Sequence, residues 1–254
     1  ETTIIFRDNY VEGGVPASPG VGTSGLSVSS TGISNTVRCI VRGNHFRELG
    51  ILGGLGSIYI QHGHDSVIDT NVFSKIISTP ITVSSSDRMR ITRNKIVSES
   101  TEINDAQPIN GIDVSSYYGN TDDLVISENN IVGTTKMDVG IKVVGVLTPT
   151  PYYIRGVSIS DNSITGTQVP LYIEHISGQV NIVRNNVREF LTHSDENADR
   201  GRAALSVGNI LGNANVLIEG NSFIGGAASG RAIHWDRTVA GDTTAGQVHA
   251  TLKD

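Results

Sequence analysis

The sequence predicts an all-β fold, a right-handed parallel β-helix of about eight coils with an asparagine corner in each coil. Three observations predict it: one short motif repeats along the chain, a second motif repeats in phase with it, and the composition suits many short strands. A fixed period of about 20–50 residues marks a solenoid, in which each repeat is one structural unit stacked on the next.

The first motif is apolar-x-x-Asn-x-apolar. It occurs as Phe6/Asn9/Val11, Val41/Asn44/Phe46, Ile68/Asn71/Phe73, Ile91/Asn94/Ile96, Ile126/Asn129/Ile131, Ile159/Asn162/Ile164, Ile182/Asn185/Val187 and Ile218/Asn221/Phe223, eight copies spaced 23 to 36 residues apart. The second is apolar-x-apolar: Leu26/Val28, Ile58/Ile60, Ile81/Val83, Ile112/Val114, Ile141/Val143, Leu171/Ile173, Leu205/Val207 and Ile233/Trp235. Two phase-locked sets of alternating strands place their apolar members inward and stack coil on coil into parallel sheets. The asparagines fit a tight corner, because Asn tolerates left-handed backbone better than most residues. Stacked amides can also hydrogen-bond as a ladder, so the eight asparagines are read as fold-building rather than catalytic.

With 29 glycines, 17% charged and 5% aromatic residues, the composition favours short strands joined by turns. The lone Cys39 excludes an internal disulfide and falls at an inward strand position, as a buried core thiol would. A net charge of −6 with scattered Lys and Arg leaves no basic stripe for nucleic acid. No run of 18 apolar residues is present to span a membrane. The whole chain, 1–254, reads as one solenoid domain. It opens inside a coil at Ile4 to Phe6, begins with Glu1, and shows the start of a ninth coil at 248–252. A segment of a longer chain, or one with ends covered by partner subunits, is the expectation.

The segments IleThrArgAsnLysIle at 91–96, IleSerGluAsnAsnIle at 126–131 and IleSerAspAsnSerIle at 159–164 resemble the repeats of pectate-lyase-like right-handed β-helices. The resemblance covers nearly the whole chain. It implies that the asparagine corner follows the second sheet, so that the apolar-x-apolar strands belong to the first. That superfamily includes polysaccharide lyases, glycoside hydrolases, epimerases, phage tailspikes and adhesins, and fold alone does not choose among them. The tailspikes, trimeric and carried on the virion, are most like this chain; the resemblance implies a polysaccharide partner, an extracellular or virion-surface location and a homotrimer.

In this register the outward residues of the apolar-x-apolar strands form two columns. The first is Ser27, Tyr59, Thr82, Asp113, Lys142, Tyr172, Ser206 and His234; the second is Ser29, Gln61, Ser84, Ser115, Val144, Glu174, Gly208 and Asp236. Glu174 and Asp236 lie two coils apart across Gly208, about 10 Å between backbones, with an open notch expected in the middle. Two carboxylates across such a gap suit inverting glycoside hydrolysis, at separations of about 6.5–9.5 Å. Solvated strand residues would look the same. Asp113 beside Lys142 reads as a cross-strand salt bridge or, alternatively, as lyase chemistry in which the cation neutralises a uronate carboxylate while a base removes a proton. No Arg stands in either column and no calcium-binding acid cluster is seen, which weakens the lyase reading.

Tyr172 and His234 in the first column, with Tyr117, Tyr118, Tyr152 and Tyr153 in the adjoining loops, offer rings on which sugars stack; loop-to-helix packing is the alternative. His62, His64 and Asp65 are potential metal ligands, but a His-x-His with no third partner at a known metal-site spacing is a weak signal, so neither metal nor other cofactor is expected. The charged loop 192–202 reads as a solvated surface loop or, alternatively, as one that overhangs Gly208. Two functional classes follow: a carbohydrate-active domain that binds and cleaves a polysaccharide, with Glu174, Asp236 and Asp113 as candidate catalytic groups, or a non-catalytic adhesin or shaft.

Overall fold

The computed structural model describes residues 2–13, 22–30, 37–51, 56–76, 78–98, 109–133, 137–146, 151–190, 203–210, 214–225, 231–236 and 249–253. Three all-parallel sheets of nine, eight and eight strands run side by side up a β-solenoid of about eight coils. The first sheet holds the apolar-x-apolar strands: Leu26–Ser29, Ile58–Gln61, Ile81–Ser84, Ile109–Ser115, Met137–Val144, Val169–Glu174, Ala203–Gly208 and Arg231–Asp236. The second sheet begins with Thr2–Arg7 and Val37–Arg42 and continues through Asn215–Glu219 to His249–Lys253, so a ninth strand is present near the start of the expected ninth coil. The third sheet runs from Tyr10–Glu12 to Ser222–Gly225. A small antiparallel pair, Gly22–Thr23 with Gly50–Ile51, lies outside the three.

The sequence suggested two sets of strands, but the asparagine motif divides between two sheets. Its first apolar residue is the next-to-last of a second-sheet strand and its last is the second of a third-sheet strand, so each coil has three sides. The inward residues stack in register. In the third sheet Val11, Phe46, Phe73, Ile96, Ile131, Ile164, Val187 and Phe223 form one column. Phe46 and Phe73 stack at 5.0 Å between ring centroids. Because every inward residue meets its like one coil away, the core is a continuous file of aliphatic and aromatic side chains. Burying it supplies most of the driving force for folding. Cys39 is fully buried within it, and burial, offset in part by a hydrogen bond to Ser66, pushes its thiol up to about 11.

The asparagine ladder is continuous. From Asn44 to Asn221, each Asn side-chain oxygen accepts both the backbone N–H and the side-chain amide of the Asn one coil below, beginning with Asn9, at 2.9–3.1 Å. The second amide hydrogen goes to the carbonyl of the second-sheet residue in the coil below, such as Ile91 for Asn129 and Ile126 for Asn162. The six interior members are at most 1% exposed.

The left-handed backbone expected at the asparagines belongs instead to the residue before each one. Asp8, Gly43, Thr70, Arg93, Glu128, Asp161, Arg184 and Gly220 all have φ between 53° and 66°. The bend falls on an exposed residue, while the Asn keeps a conformation that lays its amide inside the corner. This division explains why the bending position varies in type and the Asn does not.

Candidate functional site

Both outward columns of the first sheet stand in the expected register, from Ser27 opposite Tyr59 to Ser206 opposite His234, and from Ser29 opposite Gln61 to Gly208 opposite Asp236. Much of this face is covered rather than open. Tyr59, Tyr172, Glu174, Ser84, Ser115 and Ser206 are all at most 9% exposed.

Asp113 and Lys142 form the cross-strand salt bridge, at 3.0 Å, and the Asn110 amide donates to the same carboxylate oxygen at 2.7 Å. The pair is a cation and an anion neutralising each other in a half-buried setting, which is a use of both charges in holding adjacent coils together. One coil up, Tyr172 follows Lys142 in register, and its hydroxyl donates to Glu174 Oε2. Glu174 Oε1 accepts from the Asn209 amide at 2.9 Å, and the His175 ring stands 3.9 Å away. His175 in turn contacts the Gly145 carbonyl through Nδ1 at 3.2 Å. Glu174 leans over the residue expected to form a notch: a Cβ on Gly208 would meet Glu174 Cγ at 3.5 Å. The carboxylate therefore fills the space beside Gly208 and is held there by two donors. His234 lies two coils above Tyr172 and is half-buried. Asp236 occupies the strand position opposite Gly208, and its side chain lies outside the described residues, as does the loop 192–202.

The loop tyrosines divide. Tyr117 and Tyr118 are 57% and 55% exposed, with ring centroids 6.5 Å apart, and the Tyr118 backbone N–H is tied to Ser85 Oγ at 2.8 Å. His62 flanks Tyr118 at 6.4 Å between rings. Tyr153 is half-buried and is fastened to the same loop, its N–H donating to Asn120 Oδ1 at 3.0 Å. Tyr117, Tyr118 and Tyr153 thus sit on two stacked loops at the edge of the first sheet, apart from the covered Tyr172. The residues weighed as metal ligands are engaged elsewhere: His64 pairs with Asp87 at 3.1 Å, and Asp65 takes a two-pronged contact from Arg88 at 2.6 and 2.8 Å. No cluster of three or more potential ligands occurs among the described residues.

A groove of about 600 Å³ lies on the outer face of the second sheet. The sequence reading, confined to the first sheet, missed it. Val67, Arg90, Val125, Ser158 and Asn181 are successive register partners along its floor. Arg38, Asp65, Arg88 and Asp123 form one wall. The hydrogen bonds from Arg88 hold the Asp65 carboxyl below its ordinary range. Alternation in the strands that precede each Asn was the signal that could have shown this face, since it places Arg90 outward between the inward Met89 and Ile91.

No protein-family model matches this sequence, and no curated protein matches it. Among solved structures, PfbA, a surface adhesin of Streptococcus pneumoniae, aligns with a TM-score of 0.52 at 10% identity over 89% of this chain, which spans 61% of that one. A second structure of the Streptococcus pneumoniae surface protein and adhesin PfbA aligns over 92% of this chain and 85% of that one, with 9% identity and a TM-score of 0.31. At such identity the first likeness, together with the three parallel sheets, shows the fold: this chain is a parallel β-solenoid.

Proposed function

We propose that this protein is an extracellular, adhesin-type solenoid that binds a polysaccharide and does not cleave it. The observation that carries the reading is a contrast at the first sheet: Glu174 is enclosed while two aromatic rings on a loop at the sheet's edge, Tyr117 and Tyr118, are open. Glu174 is 7% exposed and accepts from Tyr172 and Asn209, whereas Tyr117 and Tyr118 present more than half their surface on a loop braced by Ser85. A general acid or nucleophile must reach its substrate, and an exposed ring on a rigid scaffold can stack on a sugar without further chemistry. The location of PfbA on a cell surface supports the same setting.

Hydrolysis is the second reading, favoured by the register that sets Glu174 and Asp236 on either side of Gly208. One experiment separates the two. Bacterial capsular and O-chain polysaccharides are titrated against wild type and the double variant Tyr117→Ala, Tyr118→Ala, and reducing ends are counted for wild type and Glu174→Gln. Binding that weakens at least tenfold in the tyrosine variant, with no ends released, is the expected outcome. Release by wild type that Glu174→Gln abolishes would establish the hydrolase instead, and unchanged binding by the tyrosine variant would refute the platform. The tailspike-like trimer is tested by sedimentation equilibrium, where a mass of one chain refutes it.

A further inference from the structure

We infer that the groove on the second sheet is a site for an acidic glycan, one whose sugars carry carboxylates, with Arg90 as its central anchor. The inference rests on the polysaccharide-binding reading above but concerns a different face of the solenoid. Arg90 is exposed in the middle of the groove floor, between Val67 and Val125. Among the described residues its guanidinium has no carboxylate partner. That sets it apart from Arg42, Arg88, Arg93, Arg155 and Arg184, each of which pairs with an aspartate of another coil. An unneutralised guanidinium inside a cleft is a ready two-pronged donor to a carboxylate.

The charge of the groove agrees. Arg38, Arg88 and Arg90 face Asp65 and Asp123, a surplus of one positive charge on a chain whose net charge is −6. Further along, Ser158 and Asn181 stand on the floor, with Gln179 donating to Asn181 at 2.9 Å, and these polar groups suit sugar hydroxyls. The floor also offers Val67 and Val125 as apolar steps for the C–H faces of sugar rings. From the Arg38 strand to the Asn181 strand the groove crosses six coils, about 24 Å at the usual spacing between strands. That length takes an extended oligosaccharide rather than a single sugar, and the coil repeat is comparable with the advance of one sugar along such a chain. The wall is rigid, since Arg88 and Asp65 lock two neighbouring coils, so the site is formed before the ligand arrives.

The test uses the whole chain, with polygalacturonate, alginate and hyaluronate as acidic probes and dextran as the neutral one. Calorimetric titration is run at low and high salt on wild type, Arg90→Gln, Arg90→Glu and the Tyr117→Ala, Tyr118→Ala variant. At least one acidic glycan is expected to bind, about tenfold more weakly in Arg90→Gln and more weakly still in Arg90→Glu, with affinity falling as salt rises. Thermal melting of both Arg90 variants is expected to match wild type, because the side chain is outward and forms no ion pair among the described residues. Loss in the tyrosine variant but not in the Arg90 variants overturns the groove and leaves the tyrosine platform standing. Equal binding of dextran, or no binding of any acidic glycan, also overturns it. Loss in the Arg90 variants alone upholds the groove even where the tyrosine platform fails.

Discussion

Replacing Asn129 by alanine removes the centre of the asparagine ladder, and the structure sets the size of the effect. The Asn129 side chain accepts from the backbone and amide nitrogens of Asn94, both at 3.0 Å. It donates to Asn162 Oδ1 at 3.0 Å, to the Ile91 carbonyl at 2.9 Å and to the Ser127 carbonyl at 3.1 Å. With the residue only 1% exposed, water cannot easily replace these partners. The Asn94 amide keeps its bond to Ile68, and Asn162 keeps the bond from the Asn129 backbone. The Asn94 backbone N–H and the Ile91 carbonyl lose the side chain that served them. At about 1 kcal/mol for each net hydrogen bond, and more for a buried group left without a partner, the loss is about 3–5 kcal/mol. Asn9, at the exposed end, accepts from no lower coil, and Asn9→Ala is expected to cost about 1 kcal/mol. Urea unfolding followed by circular dichroism measures both. Equal, small effects at the two positions would refute the idea that buried amide stacking holds the corner, and leave the aliphatic core alone to set coil stacking.

Thr70→Gly is expected to raise stability by about 0.5–1 kcal/mol, since a β-branched residue is strained at φ 54° where Gly43 and Gly220 serve the same role; thermal melting checks it. Gly145→Ala should destabilise by about 1–3 kcal/mol because its Cβ would stand 2.3 Å from the His175 carbonyl oxygen, whereas Gly208→Ala, with an ordinary 3.5 Å approach to Glu174, should be tolerated. Paired melting curves decide between them. Burial alone would push the Asp69 carboxyl up, but hydrogen bonds from Arg93 and Thr92 outweigh it and hold it below its ordinary range. A depressed carboxylate stabilises the fold above its unfolded-state pKa, and that contribution is lost as pH falls below about 4. Stability should therefore drop on acidification, and Asp69→Asn should flatten the drop while lowering stability at pH 7 by about 2 kcal/mol, because Arg42 and Arg93 lose their shared anion. Denaturant midpoints across pH test this, and an unchanged acid slope in Asp69→Asn would refute it. Cys39, fully buried with a raised pKa, should react with thiol reagents only as fast as the chain opens, a rate that mass spectrometry can follow.

The repeat pattern alone carries the number of coils, the residues that face the core and the register of both first-sheet columns. Side chains alternate in and out along a strand, and a slip of one residue would turn Ile58, Ile81 and their counterparts toward solvent, so the pattern admits one alignment. It also showed the Asp113–Lys142 pairing, because register alone makes them neighbours. What alternation does not contain comes from the stacking of the coils. An outward residue is exposed only if nothing lies over it, and Glu174 and Tyr172 are enclosed by side chains such as Asn209 that come from a turn in another coil. The left-handed bend fell to the residue before each Asn because the buried amide must stay in line with its neighbours, a requirement set by eight coils together. The groove on the second sheet arises where residues at the start of that sheet in successive coils, Arg38 and Asp123 in their strands and Asp65 and Arg88 in the turns before theirs, close in space although the loops between them differ in length. A repeat fixes direction along each strand, but only stacking brings separate turns into one wall.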